Sequence, residues 1–256
     1  MAKIQQLPLH EIQKIAAGEV IDRPANIVKE LVENSLDAGA THIKVFIEDG
    51  GKKLIRVIDN GSGMSHEDAL MCCVHHATSK IQSITDLESV QTFGFRGEAL
   101  SSIVAVARVI VSTRTMHDSH GTRLFFKDGV LESETMVSLV SGTDISVEDI
   151  FCTIPARKKF LKNTDTEWRQ ILLLISAYCI DYRSIHFELF HNGNTIINCP
   201  PVASFHDRVT QLWDHQMSKS MLLIEGNNER NGITVEGLIS NHQLSRYDRS
   251  TIFMFV

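Results

Sequence analysis

The chain has 256 residues, of which 43% are hydrophobic and 22% charged, ordinary values for a globular protein with a sizeable core. Its formal net charge of −6 argues against a surface devoted to nucleic acid, so any DNA contact must come from a local patch. The sequence shows neither the apolar run of a membrane span nor the charged-then-apolar start of a signal peptide.

Helix and strand patterns alternate along the first half of the chain. Residues 10–20 and 23–38 are predicted helices, the second with Pro24 in its first turn and Gly39 at its C-terminal end. Alternating isoleucine and valine residues predict a strand over 41–48, which a glycine turn joins to a partner strand over 53–58.

Helix, strand and hairpin signals continue as far as residue 198. Ser65 followed by Asp68 resembles a capping box and predicts a helix that runs to about residue 75. Residues 77–97 are irregular and polar. The remaining predicted elements are a helix over 98–106, a strand over 108–112, a hairpin around 127–129, a strand over 143–147, a helix over 167–180 and a hairpin around 192–193.

Pro200 and Pro201 form the best candidate linker, so we predict a first domain over 1–200 and a second over 201–256. The second domain is predicted to contain a helix over 204–215 and strands over 221–224, 233–239 and 251–256. Because the last strand ends without a turn, we expect this domain to be truncated. The mixture of helices and hairpins predicts an α+β sandwich, with helices on one face of a mixed, mainly antiparallel sheet.

The predicted helix over 23–38 carries polar residues at the edge of its apolar face. At ~100° per residue, Glu30 and Asn34 lie within about 40° of each other beside the buried arc. Glu33 is expected on the outer side of Glu30, closer to solvent. A carboxylate can activate a water molecule, and an amide oxygen is a ligand that suits Mg²⁺. A solvated helix edge shows the same pattern, so the pair alone decides nothing.

A glycine-rich segment, Asp59-Asn60-Gly61-Ser62-Gly63, follows a predicted strand. Its glycines permit close approach of a ligand, and Asp59 can accept a hydrogen bond from an exocyclic amine such as that of adenine. An ordinary turn is the alternative. The dinucleotide-binding glycine pattern is not met, because residue 66 is histidine, and no phosphate-binding GxxxxGK[ST] loop occurs in the sequence.

A second glycine segment, residues 94–100 (GFRGEAL), leads into a helix start. Backbone N–H groups and the helix dipole favour an anion there, and Lys80 and Arg96 can add charge-assisted contacts. Residues 77–97 have the length and polarity of a mobile lid. A loop with a helix-capping glycine would look similar.

Three other features carry weaker signals. Residues 155–162 (PARKKFLK) are the densest basic cluster, suited either to phosphate or an acidic partner, or to a solvated helix start. His75 and His76 are neighbours, but no HExxH pattern predicts a zinc site. The five cysteines lack CxxC spacing, which fits reduced thiols in a cytosolic protein.

The order of these segments is more informative than any single one. A helix with a carboxylate and an amide, a strand, a DxGxG segment, a polar lid and a glycine loop at a helix start resemble the GHKL ATPases. The segments 15–21 (IAAGEVI), 29–39 (KELVENSLDAG), 76–81 (HATSKI), 94–100 (GFRGEAL) and 155–161 (PARKKFL) resemble the MutL-type DNA mismatch repair proteins. This resemblance covers the whole chain and implies the GHKL (Bergerat) ATP-binding sandwich.

The resemblance implies a role for each matching residue. Glu30 would be the general base for the hydrolytic water, Asn34 the Mg²⁺ ligand and Asp59 the acceptor for adenine. The other implied nucleotide contacts are Ala38, Gly63, Met64, Thr78, Ser79, Lys80, Gly94, Phe95, Arg96, Gly97, Glu98, Ala99, Leu100 and Thr143.

The resemblance also implies a function. Binding and slow Mg²⁺-dependent hydrolysis of ATP would switch N-terminal dimerisation in the bacterial cytoplasm or nucleoid, away from membranes. The implied partners are a second copy of the chain, a mismatch-recognition protein of MutS type, and mismatched or single-stranded DNA at the basic cluster. A lysine for the γ-phosphate is expected beyond residue 256. Two alternatives stay open: a module that binds nucleotide but barely hydrolyses it, and another GHKL enzyme such as a kinase or topoisomerase subunit.

Overall fold

The structure, a computed structural model, describes residues 9–74, 77, 92–94, 97–228, 230, 232–242, 244 and 252–255. The helices are α1 (Leu9–Val20), α2 (Pro24–Asp37), α3 (His66–Met71), α4 (Ala99–Val106), α5 (Pro155–Lys158), α6 (Thr164–Asp181), α7 (Phe205–Leu212) and α8 (His215–Lys219). The strands are β1 (His42–Glu48), β2 (Leu54–Asp59), β3 (Arg108–Arg114), β4 (Gly121–Lys127), β5 (Val130–Val137), β6 (Gly142–Glu148), β7 (His186–His191), β8 (Asn194–Cys199), β9 (Met221–Asn228) and β10 (Ile233–Ser240).

Eight strands form one sheet in the order β5-β4-β3-β6-β2-β1-β7-β8. β1 and β7 run parallel, and the other neighbouring pairs in this sheet are antiparallel. Strands β9 and β10 form a separate antiparallel hairpin. The predicted mixed, mainly antiparallel sheet is therefore confirmed.

The core lies between one face of the large sheet and helices α1, α2, α4 and α6. Strand β1 shows why, because Ile43, Val45 and Ile47 are buried while the residues between them are only half-buried. Successive strand residues point to opposite faces, so this alternation separates a dry face from an open one. The buried residues of the helices and of the covered face form a single apolar cluster.

Helix α2 has the end signals that its sequence predicts. Pro24 occupies the first turn, where its missing N–H costs nothing, and Gly39 follows the helix with a φ of +70°. The Ala38 N–H donates to the Asn34 carbonyl. The short loop that follows places the start of β1 beside the end of β2.

Three predicted elements differ in the structure. Helix α3 ends at Met71 rather than near residue 75, because turn hydrogen bonds such as Val74 N–H to the Met71 carbonyl replace the helical ones. The predicted helix over 204–215 is two helices, because Asp214 caps α8 by accepting a 2.6 Å hydrogen bond from the Met217 N–H. Residues 252–255, within the predicted last strand, are described and form no strand.

The chain beyond Pro201 folds back on the α6–β7 connection. Arg208 on α7 is fully buried and donates to the backbone carbonyls of Arg183 and Ile185 at 2.7 and 3.2 Å. The Arg183 guanidinium lies 3.6 Å from the centre of the Phe205 ring. These contacts attach α7 to the larger sheet, while the division into domains over 1–200 and 201–256 stays a prediction.

Among the described helices, the longest and most apolar segments fall short of what crossing a membrane requires.

Candidate nucleotide-binding site

The carboxylate of Asp59, the last residue of β2, joins three parts of the fold. The Gly61 N–H donates to its Oδ1 at 2.8 Å, and the Ser35 hydroxyl on α2 donates to its Oδ2 at 2.9 Å. Burial raises the pKa of Asp59, and hydrogen bonds from Gly61, Ser35 and Thr143 oppose that rise. Carboxylate oxygens have several lone-pair positions, so Asp59 retains the capacity to accept from a ligand amine.

The glycines around Asp59 are required by the packing of the loop itself. Gly63 has a φ of +67°, and a Cβ there would lie 2.1 Å from the Arg114 carbonyl oxygen. A Cβ on Gly61 would lie 2.8 Å from the Cβ of Ala38, whose carbonyl accepts from the Ser62 N–H. The loop therefore fits closely against both α2 and β3 before any ligand is considered.

Thr113 on β3 is a functional candidate that the sequence analysis missed. Its hydroxyl accepts from the Met64 N–H at 2.9 Å and lies 3.1 Å from the Gly142 carbonyl and 3.2 Å from the Thr143 hydroxyl. The side chain is 0% exposed, so these bonds have no competition from water. Thr113 thereby ties the glycine loop to β6. A single hydroxyl inside an apolar strand gives no spacing signal in the sequence, and the same holds for Ser35 on α2.

Glu30, Asn34 and Asp37 lie along one stripe of α2, within about 60° at ~100° per residue. Glu30 and Asn34 are half-buried, as expected at the edge of the core. The Phe93 N–H donates to Asp37 Oδ1 at 3.3 Å. The end of the predicted lid therefore contacts the same stripe that carries the predicted base and metal ligand.

The predicted exposure of Glu33 is wrong. Its side chain is buried at 7% exposure because α6 packs along that side of α2. The Tyr178 hydroxyl donates to Glu33 Oε1 at 2.8 Å, and Lys29 Nζ lies 2.7 Å from Oε2. Burial and the nearby Glu33 charge raise the pKa of Tyr178 strongly, so this tyrosine remains a donor.

The glycine loop before α4 closes against the other side of the predicted lid. Gly97 has a φ of +63°, and a Cβ there would lie 2.2 Å from the Ala77 carbonyl oxygen. Helix α4 begins at Ala99, and within the described part of the chain the Glu98 side chain does not cap it. The first N–H groups of a helix have no intrahelical partner, which suits an anion.

The structure thus brings part of the predicted site together. Asp59, Gly63, Met64 and Thr143 meet around Thr113, with Ala38 beside Gly61. Gly94 follows Phe93 near Asp37, while Gly97, Glu98, Ala99 and Leu100 form the start of α4. The predicted contacts Thr78, Ser79, Lys80, Phe95 and Arg96 lie outside the described residues.

Two hollows lie away from this group. One of about 340 Å³ is lined by His206, Asp207 and Thr210 near α7 and α8. Another of about 380 Å³ lies over β9 and β10. Neither hollow is lined by a predicted site residue.

The side chains of the basic cluster fall into two groups, one that contacts α1 and one that is exposed to solvent. Arg157 donates to the Gly18 carbonyl of α1, which makes it a structural contact. Lys158, Lys159 and Lys162 are exposed. The three lysines therefore remain the part of this cluster that is available to a phosphate or an acidic partner.

Comparison with known proteins identifies the family. A family model described as histidine kinase-, DNA gyrase B- and HSP90-like ATPase matches residues 23–150. The solved Aquifex aeolicus MutL ATPase domain complexed with ADP is 32% identical, with a TM-score of 0.69 over 88% of this chain and 80% of that one. This chain belongs to the MutL family of GHKL ATPases. The expected fold and the expected family are both confirmed.

Curated MutL proteins match nearly the whole chain. The DNA mismatch repair protein MutL of Koribacter versatilis is 39% identical over 100% of this chain and 44% of its own length. That of Persephonella marina is 45% identical over 83% of this chain and 41% of its own length. The chain spans roughly two fifths of these relatives, so it corresponds to the ATPase part of a MutL protein rather than to its full length.

Proposed function

We propose that this MutL-family ATPase domain binds ATP with Mg²⁺ and hydrolyses it slowly. The observation that carries the proposal is the Asp59 carboxylate, held at 2.9 Å by Ser35 on the helix that also bears Glu30 and Asn34. The predicted adenine acceptor and the predicted reaction centre are thereby fixed to one helix. The ADP complex of the Aquifex aeolicus relative supports an adenine nucleotide as the ligand.

The adenine end of the ligand would meet Asp59, with Gly63, Met64 and Thr143 beside it. A carboxylate has lone pairs beyond those that already accept hydrogen bonds, and these can accept from the exocyclic amine of adenine but repel the carbonyl that guanine has at that position. Thr113 keeps this surface rigid through its bonds to Met64 and Gly142. Selectivity for adenine over guanine follows from a site whose hydrogen-bond pattern is set before the ligand arrives.

The phosphate end would lie between the start of α4 and the α2 stripe. Gly97, Glu98, Ala99 and Leu100 offer backbone N–H groups in a loop that runs into a helix N-terminus. The amide oxygen of Asn34 is a hard ligand and is half-buried, which fits a magnesium ion. Such an ion supplies charge neutralisation on phosphate oxygens.

Glu30 would hold and deprotonate the attacking water. Lys29 Nζ lies 3.8 Å from Glu30 Oε1 and 2.7 Å from Glu33 Oε2. Lys29 is therefore paired more closely with Glu33 than with Glu30. Positioning of this kind, rather than covalent chemistry, dominates phosphoryl transfer to water.

ATP binding would act as a switch for dimerisation. The predicted lid contacts, Thr78, Ser79, Lys80, Phe95 and Arg96, would bind the phosphates, and nucleotide-dependent rearrangement of a loop is an established switching mode. Helix α1 exposes Ile12 at 42% and Ile15 at 51%, an apolar side that supports contact with a second copy of the chain. Arg157 anchors this helix through Gly18.

As part of a mismatch repair protein, the domain would work in the cytoplasm with DNA and a MutS-type partner. The exposed lysines 158, 159 and 162 support a local phosphate contact on a chain of net charge −6. Binding of single-stranded DNA should then weaken as salt rises. Affinity that stays constant between low and high salt contradicts this contact.

The decisive test compares two carboxylates on α2. In Glu30→Ala, steady-state phosphate release should fall by at least ~100-fold while ADP affinity stays close to that of the native chain. In the control Glu33→Gln, which keeps an acceptor for Tyr178, turnover should persist. Native turnover in Glu30→Ala would remove this residue from the mechanism. Phosphate release that does not scale with protein, or that survives Asn34→Ala, would favour a module that only binds nucleotide.

A further inference from the structure

The open face of the sheet carries a cluster of two histidines and a glutamate at the parallel pair β1–β7. The parallel register places His42 beside His186 and Lys44 beside Glu188. Residues i and i+2 of a strand share a face, so all four side chains lie on the face opposite the helices. Their neighbours Ile43 and Phe187 are fully buried on the covered face.

The ligand atoms of this cluster lie only slightly farther apart than the ligands of a single metal ion. His42 Nε2 lies 3.7 Å from Glu188 Oε2, and His186 Nε2 lies 3.8 Å from Glu188 Oε1. One ligand atom from each of the three residues lies within 4.8 Å of the other two. The two imidazole rings stack at 4.2 Å with an interplanar angle of 3°.

One buried polar atom of the cluster lacks a hydrogen bond. His42 Nε2 is buried and has no hydrogen-bond partner among the described residues. A neutral imidazole offers the lone pair that a metal ion requires.

We propose that His42, His186 and Glu188 bind a divalent transition-metal ion of the zinc class. Two imidazoles and one carboxylate are a known zinc ligand set, with water in the fourth position. Metal–ligand bonds of about 2.0–2.1 Å need ligand atoms about 3.3 Å apart in a tetrahedron, so small side-chain rotations close the site. Imidazole nitrogen favours zinc, cobalt, nickel or copper over magnesium or calcium.

Two neighbours compete with the ion in the metal-free protein. Lys44 Nζ lies 3.2 Å from Glu188 Oε2, and Asn198 Oδ1 lies 2.8 Å from His186 Nε2. Each competitor occupies a group that the ion needs. Removing either one should tighten metal binding, an effect that a cluster without a metal role does not predict.

The ion would stabilise the parallel strand pair β1–β7 rather than take part in the hydrolysis of ATP. The N–H groups of Thr41 and His42 both donate to Asn60 Oδ1 at 2.9 Å, and Asn60 follows Asp59. A metal on His42 would therefore stiffen the strand start that holds the adenine-side loop. The proposal stands independently of the ATPase mechanism, because it concerns the opposite face of the sheet.

Cobalt(II) absorption and zinc titration calorimetry on the whole chain test the site. The native chain should bind one ion with the visible spectrum of a nitrogen- and oxygen-ligated cobalt of low coordination number. Loss of one ligand in His42→Ala, His186→Ala or Glu188→Gln should weaken binding by more than the ~10–100-fold typical of losing an outer partner. His191→Ala is the matched control, because His191 lies on the other face of β7, stacked on Trp168 at 3.9 Å.

The competitor variants complete the test. Lys44→Ala and Asn198→Ala should raise zinc affinity, and zinc should raise the Tm of the native chain but not of Glu188→Gln. Circular dichroism of each variant without metal shows whether the fold is intact. The proposal is overturned if the native chain gives no cobalt spectrum, or if all three ligand variants keep the native affinity.

Discussion

The two faces of the large sheet are built from the same strands and differ in what lies over them. On the covered face, Ile43, Val45 and Ile47 of β1 are buried against helices. On the open face, the alternate residues include Lys44 and Phe46, which meet partners across the strands. Thr113 is a polar side chain that is buried on the covered face, and its hydroxyl has hydrogen-bond partners in Met64, Gly142 and Thr143. The open face tolerates charge, because water can compensate each group.

This difference bears on where the proposed nucleotide site of the MutL-family domain lies. The groups that we propose to contact the nucleotide lie at the rim of the covered face, where burial shields their hydrogen bonds from water. Asp59 illustrates this, since its carboxylate is fixed by Ser35 and Gly61. The side chains of His42, His186 and Glu188 lie farther apart, at 3.7 and 3.8 Å between the imidazole nitrogens and the carboxylate oxygens.

Adjacent residues of β1 give the largest expected contrast between the faces. Ile43→Ala should lower the free energy of unfolding by ~2–5 kcal/mol, because it leaves a cavity in the core. Lys44→Ala, one residue later, should change it by no more than ~0.5 kcal/mol in the absence of metal. Urea denaturation measures both. Equal losses would contradict the assignment of the two faces.

Thr113→Val tests the contribution of the buried Thr113 hydroxyl on the covered face. The valine keeps the shape but leaves the Met64 N–H without its acceptor, which should cost ~1–3 kcal/mol. Affinity for ADP should fall as well, because the glycine loop loses its tie to β6. Thr135→Val on the exposed strand β5 is the control and should leave both quantities unchanged. A native ADP affinity in Thr113→Val would show that this tie is not needed.

The Arg56–Asp144 ion pair on the open face should contribute less to stability than the buried hydroxyl of Thr113. Its two hydrogen bonds are 2.9 and 2.7 Å long, but the arginine side chain is 41% exposed. A double-mutant cycle with Arg56→Met and Asp144→Asn should give a coupling of ~0–1 kcal/mol that shrinks with salt. A coupling well above that range, unaffected by salt, would contradict the solvent exposure of this ion pair.

The smallest expected effect is the contribution of Asp59 to the pH dependence of the free energy of unfolding. Its raised pKa means that the folded chain holds the proton more tightly than the unfolded chain. Its contribution to stability is therefore fully present below the ordinary carboxyl pKa of about 3.9 and is lost as pH rises through the native pKa. Asp59→Asn should abolish this loss, so the native chain should decline relative to the variant above about pH 4. Parallel stability curves for the two chains would contradict the raised pKa.

Sequence patterns predicted the strands and the order of the site segments well, because period-two alternation and glycine turns are local. They failed for Glu33, whose burial depends on α6, nearly 150 residues away in the chain. They also missed Ser35 and Thr113, since a single hydroxyl becomes important only through the partners that folding brings to it. The split of residues 204–215 into two helices depended on Asp214 acting as a cap rather than as a helical residue.

A structure of the chain with a non-hydrolysable ATP analogue and Mg²⁺ would show directly which residues contact each part of the nucleotide. We expect the adenine amine on Asp59, the phosphates at the start of α4 and the metal ion on Asn34, with Glu30 facing the γ-phosphate. A nucleotide whose adenine does not contact Asp59, or whose phosphates lie away from Asn34, would contradict it.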